Sequence, residues 1–219
     1  MKKSRIQVYP SILSGDFGRL AEEAKRLEAA GADGIHIDIM DGQFVPNLTL
    51  GAKAVAAIKR STNLFLDVHL MIYEPFNFIE SFVAAGADRI TFHFEATTHV
   101  EDTLEFIHKC GKKAGLAIRP ETPFSLLDRC VDMCDLILLM TVDPGFGGQT
   151  FKGDVLDKIR EARYFCDQNS LETKIQVDGG INHNTAGMCI EAGADVLVSG
   201  EYLYKAPDMA KAIAELKEL

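Results

Sequence analysis

No apolar run in this sequence is long enough to cross a bilayer. The longest strongly apolar stretch, "LILLM", spans only residues 136–140, whereas a membrane helix needs about 20 apolar residues. The N-terminal stretch "MKKSRIQVYPSIL" starts basic, but charge and proline interrupt it before an apolar segment develops, so it does not read as a signal peptide. Cysteine is sparse and odd in number, with five residues at positions 110, 130, 134, 166 and 189. Cys130 and Cys134 have a spacing that suits one helix face better than a zinc knuckle. All five read as reduced thiols packed as small hydrophobes in a cytoplasmic chain. Positive charge is scarce as well: 23 Lys and Arg stand against 32 Asp and Glu, a net charge of −9. An acidic surface repels nucleic acid and anionic membranes, which excludes both as expected partners and leaves any anionic ligand to be attracted by local groups. Finally, no Ser- or Pro-rich linker and no low-complexity tract divides the chain, and "PSILSGDFG" is not the Gly-x-Gly-x-x-Gly turn of a dinucleotide site. No nucleotide cofactor is expected.

What is present is a repeating unit. The chain has 219 residues, enough to bury roughly 70% of its unfolded surface in one domain. "AGADGI" at 30–35, "AGADRI" at 85–90 and "AGADVL" at 192–197 each follow a helical pattern and lead into an apolar run. The expected local structure is a helix ending at Gly31, Gly86 or Gly193, then a tight turn into a strand. These glycines are 55 and 107 residues apart, which is two and four units of about 27 residues, the size of a βα unit, so the chain holds about eight. Eight strands can be read: 7–13, 34–40, 64–71, 89–94, 114–119, 136–142, 174–179 and 195–200. Helical segments lie between them. Phe17, Leu20, Ala21, Ala24 and Leu27 form the apolar stripe of the first, with Asp16 as its N-cap, and Val100, Leu104 and Ile107 form that of the fourth. Strict alternation predicts a single (β/α)₈ TIM barrel over residues 1–219, with an open doubly wound sheet as the runner-up.

In such a barrel the chemistry sits at the C-terminal strand ends. The second strand, "GIHIDIM", offers His36, Asp38 and Met40 on one face, because side chains two apart share a face. The third offers Asp67, His69 and Met71; the seventh offers Gln176 and Asp178. Each polar residue taken singly reads best as a satisfied core group. Taken together, His36, Asp38, His69 and Asp178 form a cage for one divalent metal ion, Zn, Mn, Co or Fe, since burying two carboxylates without a cation is costly. Asp67 lies one layer deeper and reads as structural, His93 is left unassigned, and His99, His108 and His183 fall on solvent-facing positions. After the sixth strand, "TVDPGFGGQ" places Gly145, Gly147 and Gly148 within four residues; "VDGG" and "VSGE" end the next two strands in the same way. Glycine-rich ends on adjacent strands expose backbone N–H groups to an anion, and a phosphate is the expected one.

The segments "PSILSGDFG", "HIDIMDGQFVPN", "DVHLM", "AGAD", "MTVDPGFGGQ" and "VDGGI" resemble, in order and spacing, the motifs of the ribulose-phosphate 3-epimerase family. The resemblance covers nearly the whole chain. It implies a TIM barrel of the ribulose-phosphate-binding type, a cytoplasmic isomerase of carbohydrate metabolism that inverts carbon 3 of D-ribulose 5-phosphate in the pentose phosphate pathway. It implies metal ligation by His36, Asp38, His69 and Asp178, with Asp38 and Asp178 as the two acid/base residues. Ser11 and His69 are implied at the sugar. Met40, Met71 and Met140 are implied around the reacting carbons. Gly145, Phe146, Gly147, Gly148, Gly179, Gly180, Gly200 and position 201 are implied on the phosphate side. Glu201 departs from the small polar residue frequent at its position; a carboxylate there repels a phosphate unless it turns away or Lys205 offsets it. Arg119 is a further cation near the rim. Barrel enzymes of this type often associate, so a homo-oligomer is expected, although no stripe in the sequence marks its interface.

Three other activities fit parts of this pattern. A hexulose-phosphate 3-epimerase, such as one acting on D-allulose 6-phosphate, needs the same residues and differs by one hydroxymethylene, which a pocket discriminates by only about 1–3 kcal/mol. A lyase of the hexulose-phosphate synthase type shares the glycine-rich ends but tends to use a lysine near the reacting carbon, and none adjoins "HIDIMD" or "DVHLM". A non-catalytic sugar-phosphate sensor has no need of both aspartates and both histidines.

Overall fold

The computed structural model describes residues 5–219; the basic start at Lys2 and Lys3 lies outside the described residues. Eight parallel strands form one sheet: β1 (Gln7–Pro10), β2 (Gly34–Met40), β3 (Phe65–Met71), β4 (Arg89–His93), β5 (Lys113–Ile118), β6 (Leu136–Met140), β7 (Lys174–Asp178) and β8 (Val196–Ser199). Neighbours in sequence are neighbours in the sheet, β1 pairs with β8, and a parallel bridge between Ser11 and His36 brings β1 back to β2. The result is a TIM barrel, not an open sheet. Its outer layer comprises α1 (Leu20–Ala29), α2 (Ala52–Lys59), α3 (Ile79–Ala85), α4 (Val100–Lys109), α5 (Val155–Gln168), α6 (His183–Ala192), α7 (Glu201–Lys205) and α8 (Met209–Lys217).

Alternation sorts the strand residues into two cores. On β6, Ile137 and Leu139 pack outward against the helices, while Leu136, Leu138 and Met140 join Tyr9, Ala117, Val196 and Val198 inside the barrel. All of these are buried, and each large aliphatic side chain contributes about 1.5–3 kcal/mol by leaving water. The opposite half of the interior is polar: His36, Asp67, His69, Arg89, Thr91, His93 and Gln176 are all buried.

The recurring "AGAD" phrase ends a helix and ties the barrel floor together. Gly86 and Gly193 cap α3 and α6 with φ of 98° and 118°, and Gly31 follows α1 with φ of 81°, as the glycine spacing predicts. The aspartate after each turn then exchanges two hydrogen bonds with a residue on the preceding strand. Asp33 accepts from the Val8 N–H at 2.9 Å, Asp88 from Leu66 at 2.9 Å and Asp195 from Ile175 at 3.0 Å. In return the N–H groups of Asp33, Asp88 and Asp195 donate to the carbonyls of Val8, Leu66 and Ile175. Asp135 does the same with Ala114, so every second strand begins with this clamp.

Several local expectations need correction. β1 stops at Pro10, because the Ser11 side chain caps a 3₁₀ turn over Ile12–Ser14. Asp16 caps a second 3₁₀ turn, Phe17–Arg19, not α1 itself, and Phe17 and Ala21 lie exposed outside the stripe of Ala24 and Leu27. Val100, Leu104 and Ile107 are buried on α4 as expected. Between β5 and β6 there is no α-helix; Pro120 and Pro123 break the segment, which folds as 3₁₀ turns at Phe124–Leu127 and Val131–Met133. Cys130 and Cys134 therefore flank a 3₁₀ turn instead of sharing a helix face. All five cysteines are free thiols. Among the described residues no helix is long and apolar enough to cross a membrane.

Candidate active site

The polar half of the interior opens at the C-terminal ends of the strands into a cavity of about 1190 Å³. Register brings the key residues together: His36 lies beside Asp67, Asp38 beside His69, and Met40 beside Met71 across β2 and β3, while Met140 lies beside Asp178 across β6 and β7. Ligand atoms of His36, Asp38, His69 and Asp178 all fall within 4.8 Å of one another. His36 Nε2 is 3.3 Å from Asp38 Oδ1, 3.7 Å from Asp178 Oδ2 and 3.3 Å from His69 Nδ1, which is itself 3.1 Å from Asp38 Oδ1.

The layer beneath fixes these groups. Asp67 lies deeper in the barrel and accepts from His36 Nδ1 at 2.9 Å, from Gln176 Nε2 at 2.7 Å and from Arg89 Nε at 2.9 Å, with Arg89 Nη2 forming an ion pair with it at 2.8 Å. That contact keeps the proton of a neutral His36 on Nδ1 and turns its Nε2 lone pair toward the cluster. Two imidazole nitrogens and two carboxylates therefore meet at one point. Such a set fits a divalent cation of the Zn, Mn, Co or Fe kind.

The electrostatics carry the same imprint. Burial opposes a charge on His36, but Asp38 and Asp67 overcome it and hold its pKa well above the ordinary histidine value. Burial likewise opposes ionisation of Asp38 and Asp67. His36 and His69 nevertheless hold Asp38, and Arg89 and His36 hold Asp67, well below the usual carboxylate range. Asp178 goes the other way. Burial, reinforced by the negative charge of Asp38, pushes it up to about 7. Burial lowers His69 to about 4.

Ser11, Asp38, Met40, Met71, Met140 and Asp178 line the cavity, and the Ser11 hydroxyl donates to Asp38 Oδ2 at 2.7 Å. His36 and His69 are fully buried behind that wall, so His69 faces the ligand cluster and not the open space where a sugar would lie. The far side of the cavity is built from Gly145, Phe146, Gly147, Gly148, Gly179, Gly180, Gly200 and Glu201. Its turns are anchored through their carbonyls: Asn47 donates to Gly145 at 2.8 Å, Thr141 to Gly179 at 2.6 Å and Thr185 to Gly180 at 2.9 Å. Gly180 has φ of 64°, and a Cβ there would lie 2.8 Å from the Phe151 nitrogen, so only glycine fits. Glu201 keeps its carboxylate beside Gly148 and pairs with Lys205. Arg119 is not on this side; its guanidinium stacks 4.3 Å from the Phe44 ring centroid and donates to the Phe44 carbonyl at 2.9 Å. His99 is exposed, and His108 pairs with Asp135 at the surface.

Sequence reasoning left out His93 and Glu95. His93 Nε2 sits 2.9 Å from His69 Nε2, and its Nδ1 sits 3.2 Å from Glu95 Oε2. The signal was the period-2 face of β4, where Arg89, Thr91 and His93 all point inward.

A sequence model of the ribulose-phosphate 3-epimerase family matches residues 7–204. The chain is 51% identical over 211 residues to a ribulose-phosphate 3-epimerase of Chlamydia pneumoniae, covering 95% of this chain and 92% of that protein. It is 49% identical over 213 residues to one of Bacillus subtilis strain 168, covering 97% and 98%. Among solved structures, 3-hexulose-6-phosphate synthase of Salmonella typhimurium superposes with a TM-score of 0.73 over 97% of each chain at 16% identity, a likeness of fold alone.

Proposed function

Because the chain belongs to the ribulose-phosphate 3-epimerase family and is an epimerase on that ground, we propose that it interconverts D-ribulose 5-phosphate and D-xylulose 5-phosphate by proton transfer between Asp38 and Asp178. The observation that carries this reading is the pair itself. Two carboxylates from β2 and β7 meet at one cavity, and their surroundings drive their proton affinities in opposite directions.

Inverting a carbon beside a ketone requires a proton to leave one face and another to arrive on the opposite face. Ionised Asp38 takes the proton from carbon 3. The electron pair of that C–H bond moves between carbons 2 and 3, and the carbonyl oxygen takes up the charge, giving an enediolate. Asp178, which burial pushes up to about 7, returns one from the other side in its protonated form, and the C–H bond re-forms with inverted configuration. The reverse reaction exchanges the two roles. The Ser11 hydroxyl holds the Asp38 carboxylate in one orientation, and Met40, Met71 and Met140 keep the reacting region apolar. A divalent cation held by His36 Nε2, Asp38, His69 Nδ1 and Asp178 would act as a Lewis acid toward the substrate oxygens, worth several kcal/mol. The substrate phosphate would lie against the backbone N–H groups of the glycine turns at 145–148, 179–180 and 200–201, neutral donors that work within an acidic protein.

The test is turnover in deuterated water. Metal-loaded protein with D-ribulose 5-phosphate is expected to release D-xylulose 5-phosphate carrying deuterium at carbon 3, and chelation is expected to abolish the exchange. Asp38→Asn and Asp178→Asn should each reduce turnover by about 10²–10⁴-fold. Wild-type turnover in either variant would remove that aspartate from the mechanism. The same assay with D-allulose 6-phosphate decides between pentulose and hexulose substrates.

A further inference from the structure

Four groups form one hydrogen-bonded line running away from the cavity: Asp38, His69, His93 and Glu95. Its contacts are Asp38 Oδ1 to His69 Nδ1 at 3.1 Å, His69 Nε2 to His93 Nε2 at 2.9 Å, and His93 Nδ1 to Glu95 Oε2 at 3.2 Å. Both imidazoles are fully buried. The other Glu95 oxygen, Oε1, accepts from the Arg119 backbone N–H at 2.8 Å and from the Thr122 hydroxyl at 2.5 Å.

Two neutral imidazoles bring two protons to three contacts, so one carboxylate goes without; with a cation at His69 Nδ1 that carboxylate is Asp38. The other carboxylate, Glu95, accepts and does not donate, so the proton of His93 sits on Nδ1. His93 Nε2 then bears a lone pair and must receive a proton from His69 Nε2. His69 in turn has no proton on Nδ1, and that nitrogen points at Asp38 Oδ1 and His36 Nε2 with its lone pair free. We infer that Glu95 and His93 are positioning residues: through two linked tautomers, the Glu95 carboxylate holds His69 in the form whose Nδ1 can bind a cation. This rests on the four-residue cation site proposed above. It performs for His69 what Asp67 performs for His36, but from the end of the neighbouring strand β4 and through an intervening ring.

The assignment has a sharp consequence for Glu95→Gln. The Arg119 N–H can only donate, so it fixes the amide with its oxygen at the Oε1 position and its NH₂ toward His93. The NH₂ donates to His93 Nδ1. That drives the His93 proton to Nε2, and His69 must then accept at Nε2 and carry its own proton on Nδ1, donating to Asp38. One neutral, nearly isosteric change inverts both rings. It leaves every hydrogen bond of the metal-free line satisfied while blocking the ligand nitrogen of His69.

Two readouts test this in the full-length protein. Imidazole ¹⁵N shifts of the metal-free wild type are expected to give Nε2–H for His69 and Nδ1–H for His93, and in Glu95→Gln both are expected to exchange. Cobalt(II) affinity, measured by competition against a chelator, is expected to weaken by about 10–100-fold in Glu95→Gln, the range for losing an outer-shell partner. Thr122→Val, which removes a donor to the same carboxylate but keeps its charge, is expected to bind cobalt(II) within about threefold of wild type and to retain the wild-type tautomers. Unchanged tautomers or unchanged affinity in Glu95→Gln would overturn the assignment, as would the opposite tautomers in the wild type, a result that stands even if the variant does not fold. Failure of the wild type to bind cobalt(II) would instead overturn the cation site, and the relay's purpose with it.

Discussion

At the scale of single residues, the two aspartates and two histidines proposed for catalysis and cation binding were legible because period-2 alternation put them on one face of three strands. His36, Asp38, His69 and Asp178 do converge. His93 was legible as an inward residue of β4 but its role was not, and Glu95 was not legible at all. Their significance lies in which ring nitrogen faces which, and spacing along a chain does not encode that. Glu201 was legible as an anomaly, and the structure gives it a neighbour: its carboxylate lies beside Gly148 on the side proposed for the phosphate and pairs with Lys205. The pair is exposed, so the repulsion it exerts on a dianion is partly cancelled by the lysine and partly screened. Removing the charge should therefore help modestly. Glu201→Gln is expected to lower KM for the sugar phosphate by about 2–5-fold with kcat unchanged, because uniform binding is altered and the reacting carbon is not touched. The gain should shrink in 0.5 M salt, where the screening length falls to about 4 Å. An unchanged or higher KM in steady-state kinetics would mean that the carboxylate does not face the phosphate.

At the scale of the element, the "AGAD" phrase is both the signal that revealed the fold and the device that closes it. Its period of two βα units reflects the clamp: Asp33, Asp88, Asp135 and Asp195 introduce β2, β4, β6 and β8 and each binds the start of the strand before it. The barrel was readable from this repeat and from eight apolar runs, and the strand boundaries were correct to within a few residues. The segment between β5 and β6 departs from the helix its apolar residues suggest. Its apolar residues Phe124, Leu127, Cys130 and Val131 are buried as a helix face would be, but Pro120 and Pro123 limit it to short 3₁₀ turns. Chemistry occupies the other end of the barrel, so the clamps should serve stability alone. Asp88→Ala leaves the Leu66 N–H without its carboxylate partner and releases Lys59, which pairs with Asp88 at 2.7 Å. The expected loss is about 1–3 kcal/mol in denaturant unfolding, with kcat and KM near wild type in the folded protein. A variant of full stability would show that the backbone exchange alone holds the strand start.

At the scale of the whole molecule, the polar half of the barrel is charged and hydrogen-bonded, whereas the shell between barrel and helices is almost wholly apolar. Cys130, Cys134, Cys166 and Cys189 belong to that shell and are buried; Cys110 is half-exposed. Burial raises all four buried thiols, Cys130 to about 11 and Cys189 to about 12. An unfolded chain ionises its thiols near pH 9, so above that pH the native state binds more protons than the unfolded state. Stability must then fall as pH rises. The contribution of these thiols is fully present below about pH 9 and is lost progressively toward pH 11–12, at about 1.4 kcal/mol per unit for each thiol while it remains protonated in the fold. Under reducing conditions the urea midpoint is therefore expected to decline steeply above pH 9. Replacing Cys189 with alanine should make that decline shallower even though it lowers stability at pH 7 by opening a small cavity. The two unfolding curves should converge with rising pH. Parallel curves would show that the thiol is not the group being titrated.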